Sequence, residues 1–368
     1  MVNFFIFATL IFSYYATPAM GEVVKGIYGV PSLAKRHPST YVEELEKGGV
    51  NAVFVRPDKD TIKWFNARGF KVYVSINVFG GKGAWKKYPD SRPVKSDGSY
   101  LGSKQGYKGH GGMCPTHPEW RNKRLKYIEK LVKEFGGEGG IDGVWLDFIR
   151  YPGLWEVLEP EIPDTCFCSR CLKKFVVDSK VKLPKGLNGK EAADWIKGNV
   201  PYEWMKWKKQ QIASFVAKVR KVLDQRPIET RPILGIFLVP WTKGERQNAV
   251  SYAFGQDYFQ LGKYADVLSP MVYHKMVGQP PSWVGSMSQY YEETVPCQVW
   301  PIVQATDCTA EEFAEVMKYA SEGAADGVLG YSFSAMNANL WDGFREFRRL
   351  PNLLVSGLTP RRQDAKER

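Results

Sequence analysis

The sequence predicts a single-domain (β/α)8 barrel, and three observations lead to this fold class. Eight short apolar runs of strand character alternate with helical segments along the 368 residues, which is the order of parallel βαβ units. Eight such units are the number that closes a (β/α)8, or TIM, barrel. A doubly wound open sheet would instead need a glycine-rich phosphate turn after an early strand, and the sequence contains neither a GxGxxG nor a P-loop motif.

The predicted strands are apolar runs of five to nine residues, bounded by turn residues. They cover residues 26–33, 50–56, 71–79, the run within 140–152, and residues 233–239, 266–273, 298–305 and 326–333. Helical periodicity or capping places helices between them at residues 39–48, 60–68, 119–135, 203–224, 256–264, 283–294, 309–322 and 340–350. Two long insertions follow strands three and four, at 83–118 and 153–202, with helices expected at 166–182 and 190–198. Both insertions should lie on the face of the barrel where the strands end, which is the catalytic face of this fold.

The two ends of the chain differ from the rest in composition. Residues 4–12 form an uncharged apolar run and small residues follow at 19–21, so we expect a secretory signal at 1–21. An uncleaved membrane anchor is the alternative, although the run is short for a full span. We expect the barrel at 22–355, a disordered basic tail at 356–368, a secreted or cell-envelope location, and no stable membrane insertion after cleavage.

The net charge of the chain is +12 and its pI is about 9.2. Lysine and arginine are spread along the chain and no nucleic-acid motif is present, so a solvated surface is expected and not a nucleic-acid partner. Nothing in the sequence indicates an oligomeric state. Aromatic residues make up 14% of the chain, and they either fill a large core or line a site for ring-shaped ligands such as sugars.

The fourth strand carries the most informative residue, Asp147. The strand is otherwise apolar, and a buried carboxylate is costly unless it is paired or used in chemistry. Alternation along the strand puts Asp147 on the same face as Trp145, which should point into the barrel. Asp147 is therefore a candidate for acid-catalysed chemistry; a structural pairing with Arg150 or Arg56 is the alternative. Asp142 is expected in a loop or at the start of the strand.

Hydrolysis of a glycosidic bond needs two carboxyl groups that flank it. Asp307, two residues beyond the seventh strand, and Glu245, after the fifth, are the best placed partners for Asp147, with Glu156 and Asp257 further away in sequence. Each of these acids is otherwise a surface residue or a helix cap. The remaining polar and aromatic residues at strand ends are expected to contact substrate: Arg56, Asn77, Trp145, Arg150, Tyr151, Glu156, Trp241, Tyr273, His274 and Gln304.

Four cysteines form a second candidate site. Cys166, Cys168 and Cys171 lie close together in sequence, and Cys114 lies in the insertion after the neighbouring third strand. Four thiolates at one point suit a structural zinc ion with no open position. Disulfides, for instance from Cys114 to one of the three, are the alternative in a secreted protein. No HExxH motif or paired histidine spacing is present, so neither a histidine-based catalytic metal nor an organic cofactor is expected.

Three segments resemble the glycoside-hydrolase-like TIM-barrel proteins, many of which are uncharacterised secreted proteins: residues 114–121 (CPTHPEWR), 142–152 (DGVWLDFIRYP) and 269–274 (SPMVYH). The resemblance implies a catalytic acid at the end of strand four, which corresponds to Asp147. It implies a second acid after strand seven or strand five, which corresponds to Asp307 or Glu245. The cysteine pattern is similar to that of glycoside hydrolase family 42, where it holds zinc. Those enzymes carry an Asn-Glu pair at strand four, whereas this chain has Leu146 and Asp147.

The sequence thus favours a secreted glycoside hydrolase that acts on an oligo- or polysaccharide with a pair of carboxylates. A non-catalytic carbohydrate-binding or cell-envelope barrel is the main alternative. A metal-dependent hydrolase acting on a polysaccharide substituent is the third, and a zinc ion closed by four thiolates would count against it.

Overall fold

The computed structural model of the protein describes residues 23–102 and 110–348. The leader predicted at 1–21 and the tail predicted at 356–368 lie outside these residues. Within them, no helix has the length and apolarity that are needed to cross a membrane.

The structure confirms the (β/α)8 barrel. The strands are β1 (Val24–Ile27), β2 (Ala52–Phe54), β3 (Lys71–Asn77), β4 (Gly143–Asp147), β5 (Ile233–Leu238), β6 (Val267–Val272), β7 (Gln298–Val299), β8 (Ile302–Gln304) and β9 (Gly327–Tyr331). They pair in parallel around the ring, and pairing of β1 with β9 and of β5 with β6 closes it. Segments β7 and β8 together occupy the seventh of the eight positions, since both pair with β6.

The helices lie between the strands and in the insertions. They are α1 (Val42–Lys47), α2 (Lys59–Asn66), α3 (Pro118–Phe135), α4 (Ser169–Ser179), α5 (Gly189–Asn199), α6 (Pro201–Leu223), α7 (Glu245–Tyr252), α8 (Tyr258–Gly262), α9 (Ser282–Thr294), α10 (Ala310–Glu322) and α11 (Ala338–Gly343). Short 3-10 turns cover Pro38–Thr40, Gly83–Lys86, Pro89–Ser91, Phe333–Ala335 and Phe344–Glu346. Side-chain caps begin several helices, for example Asp58 on α2 and Thr309 on α10.

Alternation along the strands produces two separate cores. Val144 and Leu146 of β4 face outward into the layer between strands and helices. Trp145 faces the barrel interior, where its indole packs on Tyr73 at 4.6 Å and stacks on Trp300 at 5.6 Å between ring centroids. The interior is thus a packed aromatic core, and a ligand has access only at the strand ends.

The two insertions are joined to each other by backbone pairing. Lys95 of the first forms an antiparallel bridge with Thr165 of the second. The Phe167 N–H donates to the Val94 carbonyl over 2.9 Å, and the Ser96 N–H donates to the Asp164 carbonyl over 3.0 Å. The segment that follows Asp147 is therefore fixed by the insertion after strand three as well as by its own strand.

Candidate active site and cysteine cluster

Asp147 is the last residue of β4, and its side chain is only partly accessible at the mouth of the barrel. Burial raises the pKa of its carboxyl to about 6. Two neighbours oppose this shift: the Phe148 N–H, which donates to Asp147 Oδ1 over 2.7 Å, and the positive charge of Arg150. Phe148 has a φ of 50°, and this turn ends the strand and brings its own N–H back to the carboxylate. Asp147 can therefore hold a proton near neutral pH.

Glu156 is the acid whose negative charge also raises the pKa of Asp147. Its Oε1 lies 3.9 Å from Arg150 Nη2, and both side chains are largely buried. Arg150 lies between the rings of Phe148 and Phe254, each 5.1 Å from the guanidinium carbon, and donates to the Gly153 carbonyl over 3.0 Å. Arg150 thus connects the Glu156 side chain to the backbone that follows Asp147.

Aromatic side chains enclose these two acids. Tyr273 stacks on Trp155 at 5.7 Å and on Tyr331 at 4.8 Å, and Tyr331 contacts Tyr28 at 5.6 Å between centroids. Burial raises the pKa of Tyr28, Tyr273 and Tyr331, and the negative charge of Asp147 adds to the shift at each. All three hydroxyls therefore stay protonated and can donate hydrogen bonds at the mouth.

The other residues predicted to contact substrate lie in different surroundings. Trp145 and Tyr151 are fully buried and expose no surface to a ligand. Asn77 pairs in register with Asp147, and its Oδ1 accepts the Gly80 N–H over 2.8 Å. Arg56 is exposed after β2. Asp142 directly precedes β4, and its carboxylate pairs with Lys71 and accepts the Val72 N–H.

Trp241, Gln304 and His274 are buried just after β5, at the end of β8 and just after β6. Trp241 packs on Phe254 at 5.5 Å. Gln304 Oε1 accepts the Met276 N–H over 3.0 Å, so its amide orders the loop after β6. His274 bonds to Glu312 over 3.1 Å.

The acids predicted as first-choice partners for Asp147 have local contacts of their own. Asp307 is exposed on a turn with a φ of 60°, and its backbone carbonyl accepts from Lys275 over 2.5 Å. The exposed Glu245 carboxylate accepts the Thr242 N–H over 2.6 Å and the Thr242 hydroxyl over 2.7 Å. Asp257 caps α8 and pairs with Lys209 over 2.8 Å. Of the four acids considered as partners in the sequence, Glu156 is the one whose charge raises the pKa of Asp147.

Sequence reasoning did not select Trp155, Tyr28 or Tyr331. Tyr28 directly follows β1 and Tyr331 ends β9, so the rule that chemistry lies at the strand ends would have found both. Trp155 lies inside an insertion, where no periodicity indicates its direction. Its indole Nε1 is buried without a hydrogen-bond partner among the described groups, and its backbone N–H donates to Glu156 Oε2 over 3.3 Å.

The four predicted cysteines lie together, with their sulfur atoms within 4.8 Å of one another. Cys114 Sγ is 3.4 Å from Cys171 Sγ and 4.0 Å from Cys168 Sγ. A disulfide requires about 2.05 Å, and these four are free thiols. Zinc bonded to four sulfurs at about 2.3 Å in a tetrahedron separates them by about 3.8 Å, so the residues fit such an ion.

Cationic side chains surround the cysteine cluster. Lys208 is fully buried, its charge interacts with Cys166 and Cys171, and its Nζ donates to the Ala253 carbonyl over 3.1 Å. Arg170 interacts with Cys114 and Cys168 from the other side. Burial raises the pKa of Cys166 and Cys171 well above the usual range, so ionising them requires positive charge of this kind or a metal ion.

Comparison with known proteins places the fold among glycoside hydrolases. No known family matches the sequence, and no curated protein does so either. The structure is similar to the catalytic domain of β-amylase from Paenibacillus polymyxa (TM-score 0.61, 12% identity, 88% of this chain and 97% of that one). It is also similar to the PgaB (BpsB) glycoside hydrolase domain from Bordetella bronchiseptica (TM-score 0.59, 14% identity, 85% and 95%).

A third similar structure is a catalytic mutant of Gan42B, a GH42 β-galactosidase from G. stearothermophilus (TM-score 0.60, 14% identity). The match covers 88% of this chain but only 56% of that one. At this identity the likeness shows the fold alone, and the resemblance of the cysteine pattern to family 42 stays a prediction. The chain thus has the TIM-barrel fold that these glycoside hydrolases share.

Proposed function

We propose that the protein is a glycoside hydrolase with Asp147 as general acid and Glu156 as the partner carboxylate. The observation that carries this proposal is the pair itself: a carboxyl group whose pKa is raised to about 6, beside a second acid that an arginine holds. Two carboxyl groups with different environments are what glycosidic bond cleavage requires. The shared fold with glycoside hydrolases supports the proposal.

Asp147 would protonate the leaving oxygen of the glycosidic bond. Glu156 would act on the opposite side of the sugar, either as a nucleophile or as a base for water. The faces and hydroxyls of Tyr28, Tyr273 and Tyr331 would hold the sugar rings by stacking and hydrogen bonds. The substrate class is therefore an oligo- or polysaccharide. We place the enzyme outside the cytoplasm on the basis of the leader predicted at 1–21.

The cysteine cluster would hold a structural zinc ion. Cys114 belongs to the first insertion and Cys166, Cys168 and Cys171 to the second, so the ion would fasten both insertions over the mouth. Four thiolates leave no open position for substrate or water. Catalysis would then depend on the carboxyl groups, with no organic cofactor.

The proposal is tested by incubating the protein with a panel of oligosaccharides and polysaccharides and measuring the reducing ends that hydrolysis releases. We expect Asp147→Asn and Glu156→Gln to lower kcat by about 10²- to 10⁴-fold while the proteins stay folded. Activity should fall as the pH rises through about 6, because the acid must be protonated. Asp307→Asn and Glu245→Gln serve as matched controls and should retain activity.

Different outcomes separate the alternatives. A folded Asp147→Asn variant with full activity would overturn the proposal. Loss of activity in Asp307→Asn or Glu245→Gln, but not in Glu156→Gln, would move the partner role to that acid and leave Asp147 in place. A wild-type protein that binds sugars and hydrolyses none would support the non-catalytic carbohydrate-binding barrel.

A further inference from the structure

Three metal-ligating side chains meet outside the proposed active site and apart from the four cysteines. They are His274, just after β6, Cys308, on the turn after β8, and Glu312, in the first turn of α10. One potential ligand atom from each lies within 4.8 Å of the other two. His274 is buried, with 1% of its surface exposed, whereas Cys308 and Glu312 are partly accessible. A metal ion could therefore reach the cluster from solvent.

We propose that His274, Cys308 and Glu312 bind a divalent cation of the zinc class. Imidazole nitrogen, thiolate and carboxylate oxygen are the three ligand types that zinc combines in proteins. The three residues come from two neighbouring strand ends and one helix start, so the fold brings them together without any sequence motif. The site is separate from the cysteine cluster, with which it shares no residue.

The distances suit such an ion. His274 Nε2 lies 3.1 Å from Glu312 Oε1. Zinc bonds of about 2.0–2.1 Å to nitrogen and oxygen in a tetrahedron place these two atoms about 3.3 Å apart. The ion can therefore replace the proton that now links imidazole and carboxylate, with little movement of either group. Cys308 Sγ, now 3.4 Å from the Gln304 carbonyl, supplies the third ligand by rotating toward them.

The second ring nitrogen of His274 receives the proton that the ion displaces. His274 Nδ1 is buried and, among the described residues, has no hydrogen-bond partner. When Nε2 bonds to the ion, its proton moves to Nδ1, because a coordinating imidazole is neutral and carries one N–H. No existing hydrogen bond of Nδ1 has to break for this change of tautomer.

Lys275 completes the surroundings of the cluster. Its Nζ donates to Glu312 Oε2 over 2.8 Å and to the Asp307 carbonyl over 2.5 Å. This leaves Glu312 Oε1 for the ion and orients the carboxylate, as outer hydrogen bonds do in many metal sites. One thiolate and one carboxylate neutralise a dication, and the partly exposed Lys275 stays in contact with water.

The site would have a consequence for the barrel mouth. His274 adjoins Tyr273, which stacks on Trp155 and Tyr331 beside Asp147. A bound cation would fasten this strand end to the turn that carries Cys308. Three protein ligands leave a fourth position for water, in contrast to the closed cluster of four cysteines.

The first experiment counts metal ions in the full-length protein. Wild type, Cys308→Ser and Glu312→Gln are equilibrated at the same free zinc concentration, and zinc per chain is measured by elemental analysis. We expect each variant to hold one zinc fewer than wild type. Glu311→Gln, a change at the exposed neighbouring acid of the same helical turn, should keep the wild-type count. Equal counts in all four folded proteins would overturn the proposal.

The second experiment needs no variant. Alkylation of Cys308 by iodoacetamide is followed by mass spectrometry of its peptide, with and without zinc. We expect zinc to slow alkylation at Cys308 at least tenfold, because a coordinated thiolate is shielded. An unchanged rate at Cys308, under conditions in which zinc protects Cys168, would show that the ion binds only the four cysteines.

Discussion

Replacing Asp147 with Asn should change how the stability of the protein depends on pH. The folded-state pKa of about 6 lies above the usual value of 3.8, so the folded protein binds the proton more tightly than the unfolded chain. The stability that this group contributes is present below pH 3.8 and is lost as the pH rises through 6. Raising the pKa of the Asp147 carboxyl from 3.8 to about 6 corresponds to about 3 kcal/mol at neutral pH, an upper bound because the mouth is open to water.

The expected effect is the difference in unfolding free energy between Asp147→Asn and wild type. Asparagine keeps the oxygen that accepts the Phe148 N–H but carries no charge. Relative to wild type, Asp147→Asn should therefore gain up to about 2 kcal/mol of unfolding free energy between pH 4 and pH 7.5, most of it below pH 6. Urea unfolding at pH 4, 5, 6 and 7.5 measures this difference and cancels titrations that both proteins share.

Asp60→Asn, a change at an exposed acid in the first turn of α2, serves as the control and should show no comparable trend. The reasoning would be refuted if Asp147→Asn and wild type lost stability in parallel across the whole pH range. In that case the carboxyl would not be desolvated in the folded protein. The general-acid role proposed for Asp147 would then lose its physical basis.

Three further changes test other parts of the structure. Gly235→Ala should lower the free energy of unfolding, measured in urea, by about 1–3 kcal/mol, because a methyl group at this position would lie 2.0 Å from the Trp145 indole. Gly137→Ala is the matched control, because a methyl group at residue 137 would meet no atom within 4 Å. Lys180→Gly should raise the free energy of unfolding by about 0.5–1 kcal/mol, because Lys180 ends α4 with a φ of 62° that glycine adopts without strain. A loss of stability would contradict this account. Lys208→Met should weaken zinc binding by about 10- to 100-fold, because the buried charge of Lys208 interacts with Cys166 and Cys171. Competition with a chromophoric chelator measures the affinity, and a change at the exposed Lys206, Lys206→Met, should leave it at the wild-type value.

The barrel could be predicted because its signal is local and repeated. Each strand is a short apolar run between turn residues, and the inward direction of Trp145 follows from alternation with Val144 and Leu146. The seventh strand was predicted as one run at 298–305, whereas the structure divides it into β7 and β8. Pro301 lacks an N–H to pair, so the sequence contained the reason for the break.

Glu156, the partner proposed for Asp147, was harder to predict because no strand positions it. Glu156 lies in an insertion whose path depends on the contact of Arg150 with Phe254, a residue about one hundred positions away in the chain. Gly153 permits that path, since a side chain there would meet the Phe254 ring at 2.2 Å. Alternation and strand ends carry no information about such contacts; they favour Asp307 and Glu245, and the roles of these two acids stay predictions.

The two acids at the mouth therefore depend on different parts of the fold. Asp147 is placed by the ladder of β4, whose last residue pairs with Asn77 of β3. Glu156 is placed by the second insertion, which is bridged to the first through Lys95 and Thr165 and continues directly into the cysteine cluster. Because Glu156 raises the pKa of Asp147 through its charge, any change that moves the insertion also changes the proton affinity of the barrel acid. In the proposed mechanism the distance between the two carboxyl groups would decide the stereochemical course of cleavage, and that distance depends on how the insertions are fastened as well as on the barrel.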